Sequence, residues 1–453
     1  MNGQQGENTM KNMTQGTPWK VIIRFMIPVL MGNLLQLTYS IADTRIVGTF
    51  LGDSALAGVG STTVLHSLYI GFFMGIANGF AIMISYMFGA GKPDKVKTTF
   101  ATALLLGGMM SVIFILTTLA FLDPVLHFLN VPSALFSTAK GYIRIILAGM
   151  IITMFYDIFL ASARAIGDSV TPLLILILSV GLNIVGDIIL LGIIHTGVKG
   201  AAAATVLAQF LALFVCAIYL LKKYSFFRIT FSDFRKMDRH MSGEMIATGL
   251  SMGLMSSLIN IGSLILQTAI NQLGSSYIVA QTAARKITEA LMSVFVAMGQ
   301  TLATYCGQNY GAGDYRRIKK GMHFGYILTC SWCIAVFGIV YLFSPSMIRM
   351  ITGSSDIVMI QAATKYLRID CILYVLVAVI FVQRNSLQGI GDRITPLISS
   401  GIEMAGKIFL TYTLVPLLGY LGVILVEPIV WIIMIIPLII KMRRILGRKE
   451  WQN

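Results

Sequence analysis

Gly167-Asp168-Ser169-Val170-Thr171-Pro172 returns later in the chain as Gly391-Asp392-Arg393-Ile394-Thr395-Pro396, an offset of 391 − 167 = 224 residues. Gly89-Ala-Gly-Lys-Pro-Asp-Lys-Val-Lys97 likewise pairs with Gly311-Ala-Gly-Asp-Tyr-Arg-Arg-Ile-Lys319, displaced by 311 − 89 = 222. Leu51-Gly52 and Leu273-Gly274 repeat the 222-residue step. Three landmarks at nearly one spacing mark an internal duplication, with about six helices in each half.

The material between the landmarks is apolar. Of 453 residues 56% are hydrophobic and only 12% charged, with a mean hydropathy of +0.81. Soluble domains carry about 25% charged residues, so the class of ordinary soluble enzymes is excluded. Apolar stretches of about 20 residues, the length that crosses a bilayer core, recur throughout. They predict spans near 20–48, 55–87, 98–121, 139–163, 170–192, 198–222, 242–271, 277–309, 320–344, 361–387, 394–417 and 421–442. Their continuity, without a period of two, argues against a β-barrel. The expectation is an all-α membrane protein of about twelve transmembrane helices in two pseudo-symmetric six-helix lobes. An even number of helices per half returns equivalent loops to the same face, so the repeats should be parallel. The predicted organisation is a cytoplasmic tail at 1–19, an N-lobe at 20–222, a cytoplasmic linker at 223–241, a C-lobe at 242–442 and a second tail at 443–453.

The formal net charge of +15 is unevenly spread. Lys92, Lys95 and Lys97 form one cluster, and Lys222, Lys223, Arg228, Arg235, Lys236 and Arg239 another. Arg316, Arg317, Lys319 and Lys320 form a third, and Lys441, Arg443, Arg444, Arg448 and Lys449 close the chain. The alternate loops, at Gly52–Ser54, Ile194–Lys199 and Leu418–Leu421, are poor in Lys and Arg. This positive-inside pattern places the basic loops and both termini in the cytoplasm and the protein in the cytoplasmic (inner) membrane, and it excludes nucleic acid as the reason for the charge. No cleavable signal peptide is evident, so the first apolar helix should serve for insertion. Cys216, Cys306, Cys330, Cys333 and Cys371 all fall in apolar segments. The Cys330/Cys333 pair has no second ligand pair, so packing is expected in place of a metal site.

The two G-D-x-x-T-P loops, the two G-A-G loops and Tyr39-Ser-Ile-Ala-Asp-Thr-Arg-Ile-Val-Gly48 together closely resemble the multidrug and toxic compound extrusion (MATE) transporters, from about Trp19 to Lys441. The resemblance implies a two-lobed, V-shaped bundle that exports small organic molecules on a proton or sodium gradient.

Ionisable groups inside a bilayer are costly, and so are functional candidates. Asp43 lies on span 1, Asn183 and Asp187 four apart on one face of span 5, and Thr205 on span 6. At about 1.5 Å per residue, Asp43 is roughly 35 Å from Lys20, Asp187 roughly 24 Å from Thr171, and Thr205 roughly 10 Å into its span. All three depths converge on the outer part of the membrane, which predicts one cluster. Two carboxyls so close in a low-dielectric site cannot both stay ionised cheaply; one holds a proton, or both share a cation such as Na+. These four residues also match, position for position, the Asp, Asn, Asp and Thr that the archaeal-type branch of the resembled family uses. The alternative is that Asp43 is merely solvated beside Arg45 and that Asp187 anchors the outer end near His195.

The repeat offset sets Ile265 opposite Asp43, Lys407 opposite Asn183 and Thr411 opposite Asp187, so the cluster is not duplicated. Span 7 also lacks the carboxylate that some members of the resembled family carry there. Glu403 and Lys407 instead suit an intrahelical ion pair, with Glu427 on span 12. These are structural charges or, alternatively, charges facing the cavity. Asp370 and Arg368 are expected at the outer interface. Pro28 permits helix 1 to bend. Gln36, Asn33, Ser256, Asn260 and Gln267 are candidate lining residues, and the abundant Met and aromatic side chains suit amphipathic cations. The predicted function is secondary active multidrug efflux by antiport against H+ or Na+, without a cofactor, enzymatic chemistry or structural metal, and with one chain sufficient. The alternative is a lipid-linked saccharide flippase of a related two-lobed fold.

Overall fold

A computed structural model of the chain describes residues 12–129, 131–354, 356–448 and 451, without the side chains of residues 53, 54 and 56. Most of the expected N-terminal tail and Lys449 therefore lie outside the described residues. Among those described there are helices and no strands. The long helices are α1 (Pro18–Gly60), α2 (Thr63–Gly89) and α3 (Pro93–Ala120), then a short α4 (Leu122–Phe128), α5 (Ser133–Ala165) and α6 (Val170–Asp187). A π-helical turn, Ile188–Ile193, prolongs α6. There follow α7 (Val198–Lys223), the short α8 (Phe231–Arg235), α9 (Arg239–Asn271), α10 (Ser275–Gly311) and α11 (Tyr315–Thr352). Last come α12 (Ile357–Ile372), α13 (Tyr374–Gly389), α14 (Ile394–Leu418) and α15 (Tyr420–Leu446).

Among the described residues eleven helices are long and apolar enough to cross a membrane, and α12 with α13 makes a further span bent by 53°. The chain is thus an all-α, multi-pass membrane protein. Two details differ from the sequence reading. The second span does not begin cleanly at 55: α1 runs on to Gly60 through a non-helical Gly52 (φ 76, ψ 178), and α2 starts at Thr63. The tenth span is broken at Leu373, with neither proline nor glycine at the break, whereas its counterpart α5 is continuous.

The chain divides into two compact units, one spanning Met31–Gly253 and the other Met13–Leu30 with Leu254–Asn453. The opening of α1 therefore goes with the second unit, where the sequence reading assigns it to the first lobe. In the first unit the core gathers Phe73, Ile76, Phe80, Phe100, Ile143, Leu147 and Phe227. In the second it gathers Phe295, Leu302, Tyr305, Tyr374, Val426 and Leu438. Met13 is buried against the second unit, where Arg317 donates to the carbonyls of Met13 (3.0 Å) and Gly16 (2.7 Å). Near the other terminus, Lys319 donates to the Trp451 carbonyl and Tyr315 packs on the Trp451 ring.

The repeated G-D-x-x-T-P segments do the same work twice. Gly167 and Gly391 both adopt φ +88, a conformation that side-chain-bearing residues rarely take. The following aspartate caps the next helix: Thr171 donates its amide (3.1 Å) and hydroxyl (2.7 Å) to Asp168, and Thr395 donates 3.1 and 2.8 Å bonds to Asp392. A lysine from the end of the next long helix closes each turn, Lys223 on Asp168 at 3.1 Å and Lys441 on Asp392 at 3.2 Å. Burial alone would push Asp168 up. The Thr171 hydroxyl and amide, the Tyr224 hydroxyl (2.8 Å) and the Lys223 charge outweigh it and hold that carboxyl below its ordinary range.

The predicted linker is folded onto the first unit. Phe226 and Phe227 are buried, and Thr230 with Asp233 forms a capping box on α8. Asp233 also accepts an ion pair from Lys97 at 3.0 Å.

Candidate functional site: a buried carboxyl cluster

α6 and α7 approach closely because small residues meet: a Cβ placed on Gly186 would lie 3.2 Å from that of Ala204. Buried Gly200, Ala201, Ala202 and Ala204 form the matching surface of α7. That contact carries Asn183 and Asp187 to Thr205. Asp187 closes α6 where the helix widens into the π turn, a local irregularity often found at functional positions. Its residue is fully buried and Asn183 almost so, whereas Asp43 and Thr205 are half-buried. The alternative of a solvated outer-end anchor does not fit Asp187.

With the Asn183 amide turned so that all its neighbours are satisfied, Nδ2 donates to Asp187 Oδ2 (3.2 Å) and to Tyr39 Oη (2.5 Å), and Oδ1 accepts from Thr205 Oγ1 (3.3 Å). Tyr39 then donates to Asp43 Oδ1 at 3.4 Å. Tyr39 and Asn183 thus link the Asp43 and Asp187 carboxyls, and Asp187 Oδ1 has no partner among the described residues. All four predicted residues are therefore together, within one unit. Tyr39 is the member that sequence reading missed. Its signal is the i to i+4 spacing from Tyr39 to Asp43 within the quoted Tyr39–Gly48 segment.

This arrangement holds one proton between two acids with little rearrangement. It equally presents carboxylate, amide and hydroxyl oxygens to a small cation.

In the second unit Lys407 donates to Glu403 and Glu427, both at 3.2 Å, and Arg384 reaches Glu403 at 3.3 Å. Lys407 also meets Ser263 Oγ at 3.3 Å. The predicted charges are thus chained together with an arginine that the sequence reading did not single out, although Gln383-Arg-Asn385 interrupts an apolar span. Two cations and two anions balance, as buried charges must. Asp370 corrects an expectation: it is not interfacial but fully buried, beside Tyr366, Tyr374 and Glu427, and neither carboxyl oxygen has a well-formed hydrogen bond. The chain ends α12 two residues later and bends, so Asp370 turns inward instead of reaching the surface.

Among the candidate lining residues, Gln36 is exposed while Asn33, Ser256, Asn260 and Gln267 are half-buried. Asn33 Nδ2 has no partner among the described residues. Asn260 Nδ2 donates to Ser256 O (3.0 Å) and Gln267 Nε2 to Asn271 Oδ1 (2.9 Å), so part of their polarity is spent within α9. Pro28 lies inside α1, two residues before the switch from one unit to the other. The five cysteines are free, and among the described residues no group of three or more His, Cys, Asp or Glu is placed to hold a metal ion.

A duplicated multi-pass helical protein with a buried carboxyl cluster in one half has the build of a secondary transporter. The sequence profile of the MatE family matches residues 28–189 and 251–413, one stretch in each half of the duplication, and the chain belongs to that family. The probable multidrug resistance protein YoeA of Bacillus subtilis (strain 168) is 24% identical over 413 residues, covering 88% of this chain and 89% of that protein. The multidrug export protein MepA of Staphylococcus aureus (strain MSSA476) is 25% identical, covering 90% and 89%. A solved outward-facing conformation of a multidrug resistance MATE family transporter of the MOP superfamily superimposes with a TM-score of 0.89 at 25% identity, covering 97% of this chain and 99% of that one. These comparisons do not favour the flippase alternative.

Proposed function

We propose that this chain is a secondary active multidrug exporter, exchanging amphipathic organic cations for protons across the cytoplasmic membrane by alternating access. The observation that carries the proposal is the chain of hydrogen bonds by which Tyr39 and Asn183 link the Asp43 and Asp187 carboxyls. Family membership and the likeness to multidrug resistance and export proteins support export of drugs; the acidic cluster supports cationic cargo. A proton taken up on this pair neutralises a buried charge, and its loss restores repulsion between two anions, so protonation favours one local packing over another. Pro28, which cannot donate a backbone hydrogen bond, is the point where α1 would bend in response. The basic loops orient both termini inward, and the internal duplication makes one chain sufficient.

The test is efflux of a fluorescent organic cation from proteoliposomes under separately imposed proton and sodium gradients, with Asp43→Asn and Asp187→Asn beside the wild type. Proton-driven efflux lost in both variants supports the proposal. Sodium-driven efflux lost in both keeps the site and changes the coupling ion. Undiminished efflux in both variants overturns the site.

A further inference from the structure

At the end of α11 remote from the basic G-A-G loop, a cleft of about 490 Å³ opens between α11 and α12. Arg349, Lys365 and Arg368 line it together with Gln361 and Thr364, and no carboxylate does. Its remaining wall is apolar: Pro345, Ile357, Ile360 and Ile369. Arg368 Nε and Thr364 Oγ1 are buried without a hydrogen-bond partner among the described residues. The other end of the Arg368 guanidinium is fixed, donating to the Tyr341 carbonyl at 3.0 Å and lying over the Tyr341 ring. Of the acids adjoining the lining residues in sequence, Asp356 is occupied in capping α12, at 2.9 Å from the Val358 amide, and Asp370 is fully buried and does not line the cleft.

The first unit shows what an internally satisfied version looks like. Gly141-Tyr-Ile-Arg-Ile145 corresponds to Lys365-Tyr-Leu-Arg-Ile369, with 366 − 142 = 224. Asp123-Pro124 corresponds to Ser344-Pro345, with 345 − 124 = 221. In the first unit Asp123 pairs with Lys140 at 2.7 Å. In the second unit the acid has become Ser344 and the lysine Thr364, while Lys365 stands in place of Gly141. The second unit has lost its internal counter-anion and kept an excess of cations, at the end of α11 about 57 Å along the helix from the basic loop.

Three cations, two orphaned groups able to donate and no acid call for an anion rich in oxygen, and an arginine fork suits a phosphate. The cleft is larger than a bare phosphate fills and continues onto a wall of Ile357, Ile360 and Ile369. From this geometry we infer that the cleft binds the headgroup phosphate of an anionic glycerophospholipid, with its chains against Ile357, Ile360 and Ile369. Basic pockets between membrane helices recognise lipid headgroups in this way.

The experiment is native mass spectrometry of the full-length protein in detergent, titrated with phosphatidylglycerol, diacylglycerol or inorganic phosphate. The expected result is one tightly held phosphatidylglycerol, no comparable retention of diacylglycerol, and no displacement by inorganic phosphate. Removing the exposed rim charges, Arg349→Gln with Lys365→Gln, should weaken binding about fivefold per charge, roughly 25-fold together, with an unchanged melting temperature. Arg443→Gln, in a separate basic cleft formed with Lys319 and His323, should leave binding unchanged. Wild-type retention in the double variant, loss in Arg443→Gln alone, or displacement by inorganic phosphate overturns the inference. The readout does not depend on transport, so it stands apart from the exporter proposal.

Discussion

Asp187 and Thr411 occupy equivalent places in the two halves, 411 − 187 = 224 residues apart, yet their surroundings solve opposite problems. In the first unit two acids are linked through an amide and two hydroxyls, and among the described residues no lysine or arginine is hydrogen-bonded to either. In the second unit Lys407, at the position of Asn183, is buried between Glu403 and Glu427, with Arg384 completing the chain. One half keeps two acids without a basic partner among the described residues; in the other, Lys407 and Arg384 pair with Glu403 and Glu427, although Asp370 stays buried without a well-formed hydrogen bond. Duplication preserved the helices and turns, and divergence at a few buried positions separated the roles.

The largest effect should come from giving the first unit the residue of the second. Asp187→Thr is expected to reduce gradient-driven efflux to the level of empty proteoliposomes while the purified protein still unfolds near the wild-type temperature. If it exports normally, the contrast between the halves has no functional meaning.

Next comes the opposite kind of damage. Lys407→Met leaves Glu427 without its ion-pair partner and Glu403 with Arg384 alone, and should cost about 3–5 kcal/mol of stability. Thermal unfolding in detergent measures it, and Glu427→Gln added to Lys407→Met should recover part of the loss. A Lys407→Met protein as stable as the wild type would show that this network is not internally balanced.

A smaller effect is expected at the turn that both halves share. Asp168→Ala removes a helix cap and should cost about 1–2 kcal/mol. Because the folded protein holds Asp168 below its ordinary value, its contribution is complete above about pH 4 and shrinks as pH falls through the depressed value. Wild-type melting curves should therefore show a decline in acid that Asp168→Ala flattens.

The smallest effect should be at Asp233, in the linker that has no equivalent in the second half. The Thr230 hydroxyl and amide, then Lys97, draw that carboxyl down to about 2. Asp233→Asn should lower the melting temperature less than Asp168→Ala does, and remove an acid dependence confined to pH values between about 4 and 2. A larger loss than at Asp168 would give the linker more structural weight than the turn that both halves share.

Much of the candidate site was legible because helical geometry converts sequence spacing into depth and face. Asn183 and Asp187 share a face by their spacing, and the rise per residue brings Asp43 and Thr205 to the same level. Tyr39 was missed because a tyrosine in an apolar helix ordinarily reads as packing, and only the observed contact makes it the bridge. Asp370 was misread because a charge near a predicted helix end looks interfacial. Nothing in the local sequence announces the 53° bend beyond it. Arg384 was visible in an apolar span, but its partner Glu403 lies on another helix, 19 residues away.

The sequence by itself determined the membrane class, the duplication and which polar residues share a helix face. Each of these depends on composition, repetition or the fixed rise of a helix, which are local properties. Tertiary structure decided which half holds unsettled charge and which is neutralised, since pairing depends on what neighbouring helices bring within about 3 Å. It also decided that Arg368 and Thr364 keep unpaired polar atoms beside an open cleft. No spacing along one helix records whether a neighbouring helix supplies an acid, as Asp123 does in the first unit and Ser344 does not in the second.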